Sequence, residues 1–256
     1  MNQHLNIMIC YARSGGTILN KCLASLKNTI VISEVNPMGG GWGELKEKSY
    51  TTIKSQALNW FNINIKSNGF KNELIELIKS CDNKHIIIRD WSFVNFSSCK
   101  ENQYNPPSKL LILEESVDIP NKKIFAFVRD SIDVWISRGM PDTNTFFSEY
   151  KNYIDSLIKH NIKIFKYEDF CINPDLFIQN LCGFLEINYS NKWKNFHNYE
   201  KVNGDVQLKD SRAKSSTEIS LKKRKIIPIE KIKEVENCKN MCHCNNLLSY
   251  SIKYFN

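Results

Sequence analysis

Short apolar runs recur along the chain: LNIMICY at 5–11, TIVIS at 29–33, HIII at 85–88, KIFAFV at 123–128 and IKIFK at 162–166. The first is almost wholly apolar, the pattern of a strand buried on both faces. The last alternates, as an edge or half-buried strand does. Between these runs the apolar period changes. Ile18, Leu19, Cys22, Leu23 and Leu26 recur at helical spacing, which predicts a helix with one stripe on the sheet and Asn20 and Lys21 facing water. Residues 50–80 read as helical, with Leu74, Ile75, Leu77 and Ile78 near the end of an amphipathic segment. Phe146 to Ile158 and Asp175 to Leu185 are further helices, and Pro228 opens a terminal helix around Ile232 and Val235.

The stretch joining the first strand to the first helix reads Ala12-Arg13-Ser14-Gly15-Gly16-Thr17. Two glycines allow a sharp turn and close approach to a ligand, and successive N–H groups at a helix N-terminus form an anion site that needs no metal. Arg13 adds a fixed positive charge with a fork suited to a phosphate-like group. A nucleoside-triphosphate loop, GxxxxGK[ST], needs a lysine before its hydroxyl residue. No lysine precedes Thr17, and the positive charge comes earlier, at Arg13.

Other strand ends carry chemistry to the same edge, since ligands of open α/β sheets bind at the carboxyl ends of strands. TIVIS delivers Glu34. HIII ends in Arg89-Asp90-Trp91, for which a surface ion pair is the plain alternative. KIFAFV ends in Arg129, followed by Asp130-Ser131-Ile132-Asp133, which resembles a capping box whose first aspartate accepts from the helix N–H groups while the second reaches back. IKIFK ends in Tyr167-Glu168-Asp169, where a packed tyrosine and capping acids are the alternative to a binding role. Residues 37–43, PMGGGWG, are too glycine-rich for helix or interior strand and read as a rim or lid. Residues 95–109 form a loop.

Three of these landmarks resemble, in the right order and over roughly residues 5 to 215, the sulfotransferases that use 3′-phosphoadenosine-5′-phosphosulfate (PAPS). A strand, Arg-Ser-Gly-x-Thr and an apolar helix is similar to their 5′-phosphosulfate loop, residues Arg13, Ser14, Gly15, Gly16 and Thr17. FVRDSIDVWIS matches their second signature, in which an arginine and a serine eight residues later, here Arg129 and Ser137, bind the 3′-phosphate. Tyr-Glu-Asp after a late strand is similar to their third landmark and implies that Tyr167 lies near the adenine.

The resemblance implies a P-loop-type three-layer α/β fold with a central, mostly parallel sheet flanked by helices. It also implies sulfuryl transfer to a hydroxyl or amine on a small-molecule, glycan or peptide acceptor. Glu34 resembles the catalytic glutamate after the second strand of tyrosylprotein sulfotransferases and is the favoured general base, with Asp90 second and Arg89 a partner to the sulfuryl oxygens. The cytosolic animal enzymes use a histidine after the third strand, where this chain has Arg89-Asp90. Residues 201–225 correspond to the loop that closes over the nucleotide. They contain Gly204-Asp205, Ser211, Arg212 and Lys214 but not the full Arg-Lys-Gly pattern of the animal enzymes.

Composition narrows the picture further. At 256 residues and 42% hydrophobic the chain can bury one core, which predicts a single domain with variable acceptor and lid segments near 35–80 and 139–150. The formal charge of +8 fits nucleic acid, a membrane surface, an anionic cosubstrate or plain solubility, and charge alone does not choose among them. No nucleic-acid-binding motif surrounds the longest basic run, Lys222 to Lys225, so no nucleic-acid partner is expected. No run of 18 apolar residues occurs and the N-terminus lacks signal-peptide patterning, so neither membrane insertion nor export is expected. Nine scattered cysteines suggest reduced thiols in a cytoplasm. The Cys238, Cys242, His243, Cys244 cluster lacks a second matching pair, and no metal is expected. A sulfuryl group carries less negative charge than a phosphoryl group, so transfer without magnesium is chemically consistent. Two other readings stay open, an ATP-dependent phosphotransferase and a non-catalytic binder of PAPS or its product 3′-phosphoadenosine-5′-phosphate (PAP).

Overall fold

Each apolar run is a strand: β1 Leu5–Cys10, β2 Thr29–Val35, β3 His85–Asp90, β4 Lys122–Val128 and β5 Lys163–Lys166. They form one sheet in the order β2-β3-β1-β4-β5, with every pairing parallel. The computed structural model describes residues 5–38, 52–98, 104–203, 217–221 and 223–251.

Parallel neighbours need crossover connections, and these place helices on the faces of the sheet. The helices are α1 Gly16–Ala24, α2 Ile53–Phe61, α3 Phe70–Ser80, α4 Leu111–Glu115, α5 Ser131–Ser137, α6 Thr143–Lys159, α7 Tyr167–Ile172, α8 Pro174–Leu185, α9 Ile229–Glu236 and α10 Lys239–Leu247. Alternation along the strands splits the core in two. Leu5, Ile7, Ile9, Ile86, Ile88, Ala126 and Val128 face a cluster built with α2, α3, α5, α6, α9 and α10. Met8, Cys10, Ile87, Phe125 and Phe127 face a second cluster built with α1, α7 and α8. The result is a three-layer α/β fold.

The strand order also fixes where a ligand can enter. From β1 the chain first goes to β2 on one side, returns to β3, and then crosses to β4 on the other side of β1. The connections diverge at the carboxyl end of β1, which is the switch point of such a sheet. The loop of residues 11–15 sits there.

Three local expectations need correction. Asn20 and Lys21 do not face water: Asn20 is fully buried and Lys21 is 4% exposed. A 3₁₀ helix, Asn191–Asn198, packs over α1, with Trp193 and Phe196 in the same cluster as Leu19 and Leu23. Asn20 donates to Ser33 Oγ at 3.0 Å, and burial lowers the Lys21 pKa. The helical reading of 50–80 resolves into two helices, because Asn62 ends α2 in the left-handed region (φ 56°) and Gly69 (φ 89°) precedes α3. Between them Ile65 is fully buried. Asp133 does not reach back to complete a capping box. Asp130 accepts from the N–H groups of Ile132 and Asp133 at 2.8 and 3.3 Å, while the Asp133 carboxylate is held by Arg224.

The exposed edge of β2 is closed by a side chain in place of a strand. Gln56 on α2 is fully buried. It accepts from the Ser33 N–H and donates to the Ser33 carbonyl, both at 2.7 Å, the two bonds a neighbouring strand would make. This pins β2 just before Glu34. Gln56→Leu leaves the Ser33 N–H without its partner, at about 1–3 kcal/mol, and leaves the Ser33 carbonyl only its 3.3 Å bond from Asn203 Nδ2. Denaturant unfolding of that variant should show a loss of about 1–3 kcal/mol, and a loss well below about 1 kcal/mol would mean that solvent replaces the amide.

Candidate active site

The chain leaves β1 through Tyr11, which is fully buried and packs edge-on against Phe93 and Tyr150, with ring centroids 5.2 and 5.1 Å apart. Beyond this anchor Arg13 (φ 72°) and Gly15 (φ 84°) are both left-handed. That conformation is costly for an arginine and natural for a glycine. Gly15 is also the N-cap of α1, which has no side-chain cap and no acid in its first turn, so the positive end of the helix is left for an outside anion. Ser14 Oγ is buried and has no partner among the described residues.

Two arginine-centred groups flank this loop, one from each neighbour of β1. On the β4 side, Arg13 Nε donates to Ser137 Oγ at 3.1 Å, and Arg129 Nη1 donates to the Arg13 carbonyl at 3.4 Å. The Arg129 guanidinium lies 4.8 Å from the centroid of the Tyr167 ring, and that ring packs against Gly15. Since Ser137 accepts from Arg13, its own hydroxyl hydrogen is left to donate. Arg13, Ser137, Arg129, Tyr167 and Gly15 thus meet across more than 150 residues of sequence.

On the β3 side stands Arg89, 3% exposed. Its Nη1 donates to Thr17 Oγ1 at 3.1 Å and its Nη2 pairs with Glu34 Oε1 at 2.9 Å. Glu34 reaches it from a bulge in β2, where pairing with β3 shifts between Ile32 and Val35 and Glu34 itself is left-handed (φ 53°). Gly16 has no room for a side chain: a Cβ there would lie 2.5 Å from Cys10 Sγ and 2.8 Å from Arg89 Nε. The second glycine of the loop therefore lets the arginine lie directly beneath the helix N-terminus. Burial pushes the Cys10 thiol up to about 11, so it stays protonated under the loop.

Arg89 and Asp90 are not a surface ion pair. Strand alternation sends them to opposite faces, Arg89 paired in register with Met8 and Asp90 with Ile9. Asp90 is fully buried and accepts from Ser92 Oγ at 2.5 Å and Asn36 Nδ2 at 2.9 Å. Burial raises its pKa to about 7. Ser211 and Arg212, together with Lys214, lie outside the described residues. Arg224, on the far side of that segment, pairs with Asp130 and Asp133, each at 2.8 Å; nothing in the local pattern of the Lys222–Lys225 run distinguished it from its neighbours.

The cysteine cluster does not converge. Cys238 precedes α10, Cys244 is buried in the core, and His243 Nε2 pairs with Asp155 Oδ1 at 2.6 Å. Among the described residues no group of three His, Cys, Asp or Glu could hold a metal ion, and no helix is long and apolar enough to cross a membrane.

The fold is that of sulfotransferase domains. It is similar to the sulfotransferase domain from the Synechococcus PCC 7002 olefin synthase, with a TM-score of 0.66 and 14% identity over 97% of this chain and 95% of that one. It is also similar to the sulfotransferase domain from the curacin biosynthetic pathway, with a TM-score of 0.61 and 13% identity over 96% and 97% of the two chains. No protein-family model matches the sequence, and no curated protein matches it.

The raised Asp90 pKa has a consequence for stability. Its folded value, about 7, exceeds the ordinary 3.8, so the native state binds the proton more tightly than the unfolded chain does. The stability it contributes is complete below pH 3.8, is lost as pH rises toward 7, and stays constant above. Asp90→Asn keeps an acceptor for the Asn36 amide, can donate its own amide hydrogen to the Ser92 hydroxyl oxygen, and cannot ionise. Its stability relative to the native chain should therefore rise steadily between pH 4 and 7 in equilibrium unfolding, whereas a difference independent of pH would show that Asp90 is charged throughout.

Proposed function

We propose that the chain transfers a sulfuryl group from PAPS to a hydroxyl or amine acceptor. The observation that carries this reading is the flanking of one uncapped helix N-terminus by two arginine groups, Arg13–Ser137–Arg129 on the β4 side and Arg89–Thr17–Glu34 on the β3 side. The first group suits the 3′-phosphate of the nucleotide, with Tyr167 beside its adenine. The backbone of residues 13–17 suits the 5′-phosphosulfate. The second group sits where an acceptor would meet the sulfur. The fold likeness to sulfotransferase domains supports the same reading.

In this mechanism the acceptor oxygen or nitrogen forms a bond to sulfur as the bond from sulfur to the bridging oxygen breaks, and the electron pair leaves with the 5′-phosphate of PAP. The acceptor proton goes to Glu34. Arg89 holds that carboxylate in place and brings its positive charge to the sulfuryl oxygens. Thr17 accepts from Arg89, so its hydroxyl hydrogen is left to donate to an anion in the loop. Glu34 is favoured over Asp90 because its side chain is 19% exposed, against complete burial for Asp90. Asp90, buried on the face opposite Arg89, is not placed to serve as the magnesium carboxylate of a phosphotransferase at this loop.

The test is transfer of radiolabelled sulfur from PAPS into pools of alcohols, phenols, amines and glycans. Glu34→Gln should lower turnover by roughly 100- to 10,000-fold, the usual contribution of a positioned base, with affinity for PAP nearly unchanged. A fully active Glu34→Gln protein would contradict the assignment of the base, and magnesium-dependent ATP hydrolysis without sulfuryl transfer would contradict the reaction.

A further inference from the structure

The turn that presents Arg129 is held from elements remote in sequence. The Arg129 carbonyl accepts from the Tyr150 hydroxyl of α6 at 3.0 Å. The next N–H, that of Asp130, donates to Glu168 Oε1 of α7 at 3.2 Å. The next side chain, Ser131, donates to Asn245 Oδ1 of α10 at 2.6 Å. Glu168 is in turn fixed from beyond α10, because Tyr250 donates to its Oε2 at 2.5 Å. Asn245 also donates to the Ser251 carbonyl, at 2.7 Å. Three consecutive residues are thus tied at the backbone or side chain to α6, α7 and α10.

The head of Arg129 is held more loosely. Its nearest polar contacts are the Arg13 carbonyl at 3.4 Å and Asp133 at 3.8 Å, and its buried Nε has no partner among the described residues. Its direction is set by its backbone and by the Tyr167 ring under its guanidinium. Tyr167 and Glu168 are consecutive on α7. One turn of that helix therefore fixes both ends of the arginine, the ring its head and the carboxylate its peptide. Burial raises the Glu168 pKa, while its bonds to Tyr250 and to the Asp130 N–H oppose the rise.

We propose that Glu168 and Tyr250 are positioning residues for the nucleotide site: Tyr250 locks the Glu168 carboxylate against the Asp130 peptide, and this aims Arg129 at the 3′-phosphate. The inference rests on the reading of Arg129 given above for its ligand but not for its geometry, so two measurements separate the two. Tyr250→Phe removes only the hydroxyl, and Glu168→Gln keeps the shape but leaves one acceptor oxygen where the carboxylate offers two.

Calorimetric titration of the full chain with PAP and with AMP measures the preference that a 3′-phosphate confers. Hydrogen exchange of the Asp130 amide measures the turn directly. In both variants we expect the Asp130 amide to exchange at least tenfold faster, and affinity for PAP to fall about tenfold with AMP affinity changed less than twofold. A general loss of structure would weaken both nucleotides alike and overturn the proposal, as would folded variants with native exchange at Asp130. If the native chain itself does not prefer PAP to AMP, the reading of Arg129 fails, and the exchange rates alone decide whether Tyr250 and Glu168 hold the turn.

Discussion

A guanidinium buried beneath a helix N-terminus is the constraint on which the site depends. Arg89 has almost no access to water, and burying such a charge without partners costs several kcal/mol. It is met by the Glu34 carboxylate and the Thr17 hydroxyl. Each partner imposes a condition elsewhere. Glu34 reaches Arg89 only because β2 bulges after Ile32, and β2 is pinned there by Gln56. Thr17 reaches it only because Gly16 carries no side chain. The bulge, the glutamine and the glycine are consequences of one buried charge placed where the parallel sheet opens.

The opposite flank is organised by different physics. Arg129 is not deeply paired; it rests on an aromatic ring and a tightly held backbone turn. An arginine with spare donors and a fixed origin suits a ligand that comes and goes, whereas Arg89 is already held by Glu34 and Thr17. Asp130 and Asp133 serve this flank through Arg224, which closes the chain back onto α5.

The strands were legible because runs such as HIII and KIFAFV need only be apolar and β-branched to be buried on both faces. The turn between β1 and α1 was legible because its signals are local: two glycines, an arginine and a helix start. What sequence could not show was non-local. The polar face of α1 looked solvated, yet Asn20 is buried against Ser33 of β2, Lys21 is buried too, and a 3₁₀ helix some 170 residues later packs over α1. Asp133 fitted a capping box, yet Arg224 claims its carboxylate. Asn62 and Gly69 divide α2 from α3, although a helical apolar period runs on either side of them. The pairing of Arg89 with Glu34 joins two strand ends that periodicity places at one edge, but whose side-chain faces depend on a bulge.

The measurement closest to the central claim is a titration of the full chain with PAP and AMP at one salt concentration, repeated with Arg129→Ala. The account predicts that PAP binds about 10- to 100-fold more tightly than AMP, the worth of a charge-assisted contact, and that Arg129→Ala abolishes the difference by weakening PAP alone. Equal affinities in the native chain, or a preference for PAP that survives Arg129→Ala, would contradict it.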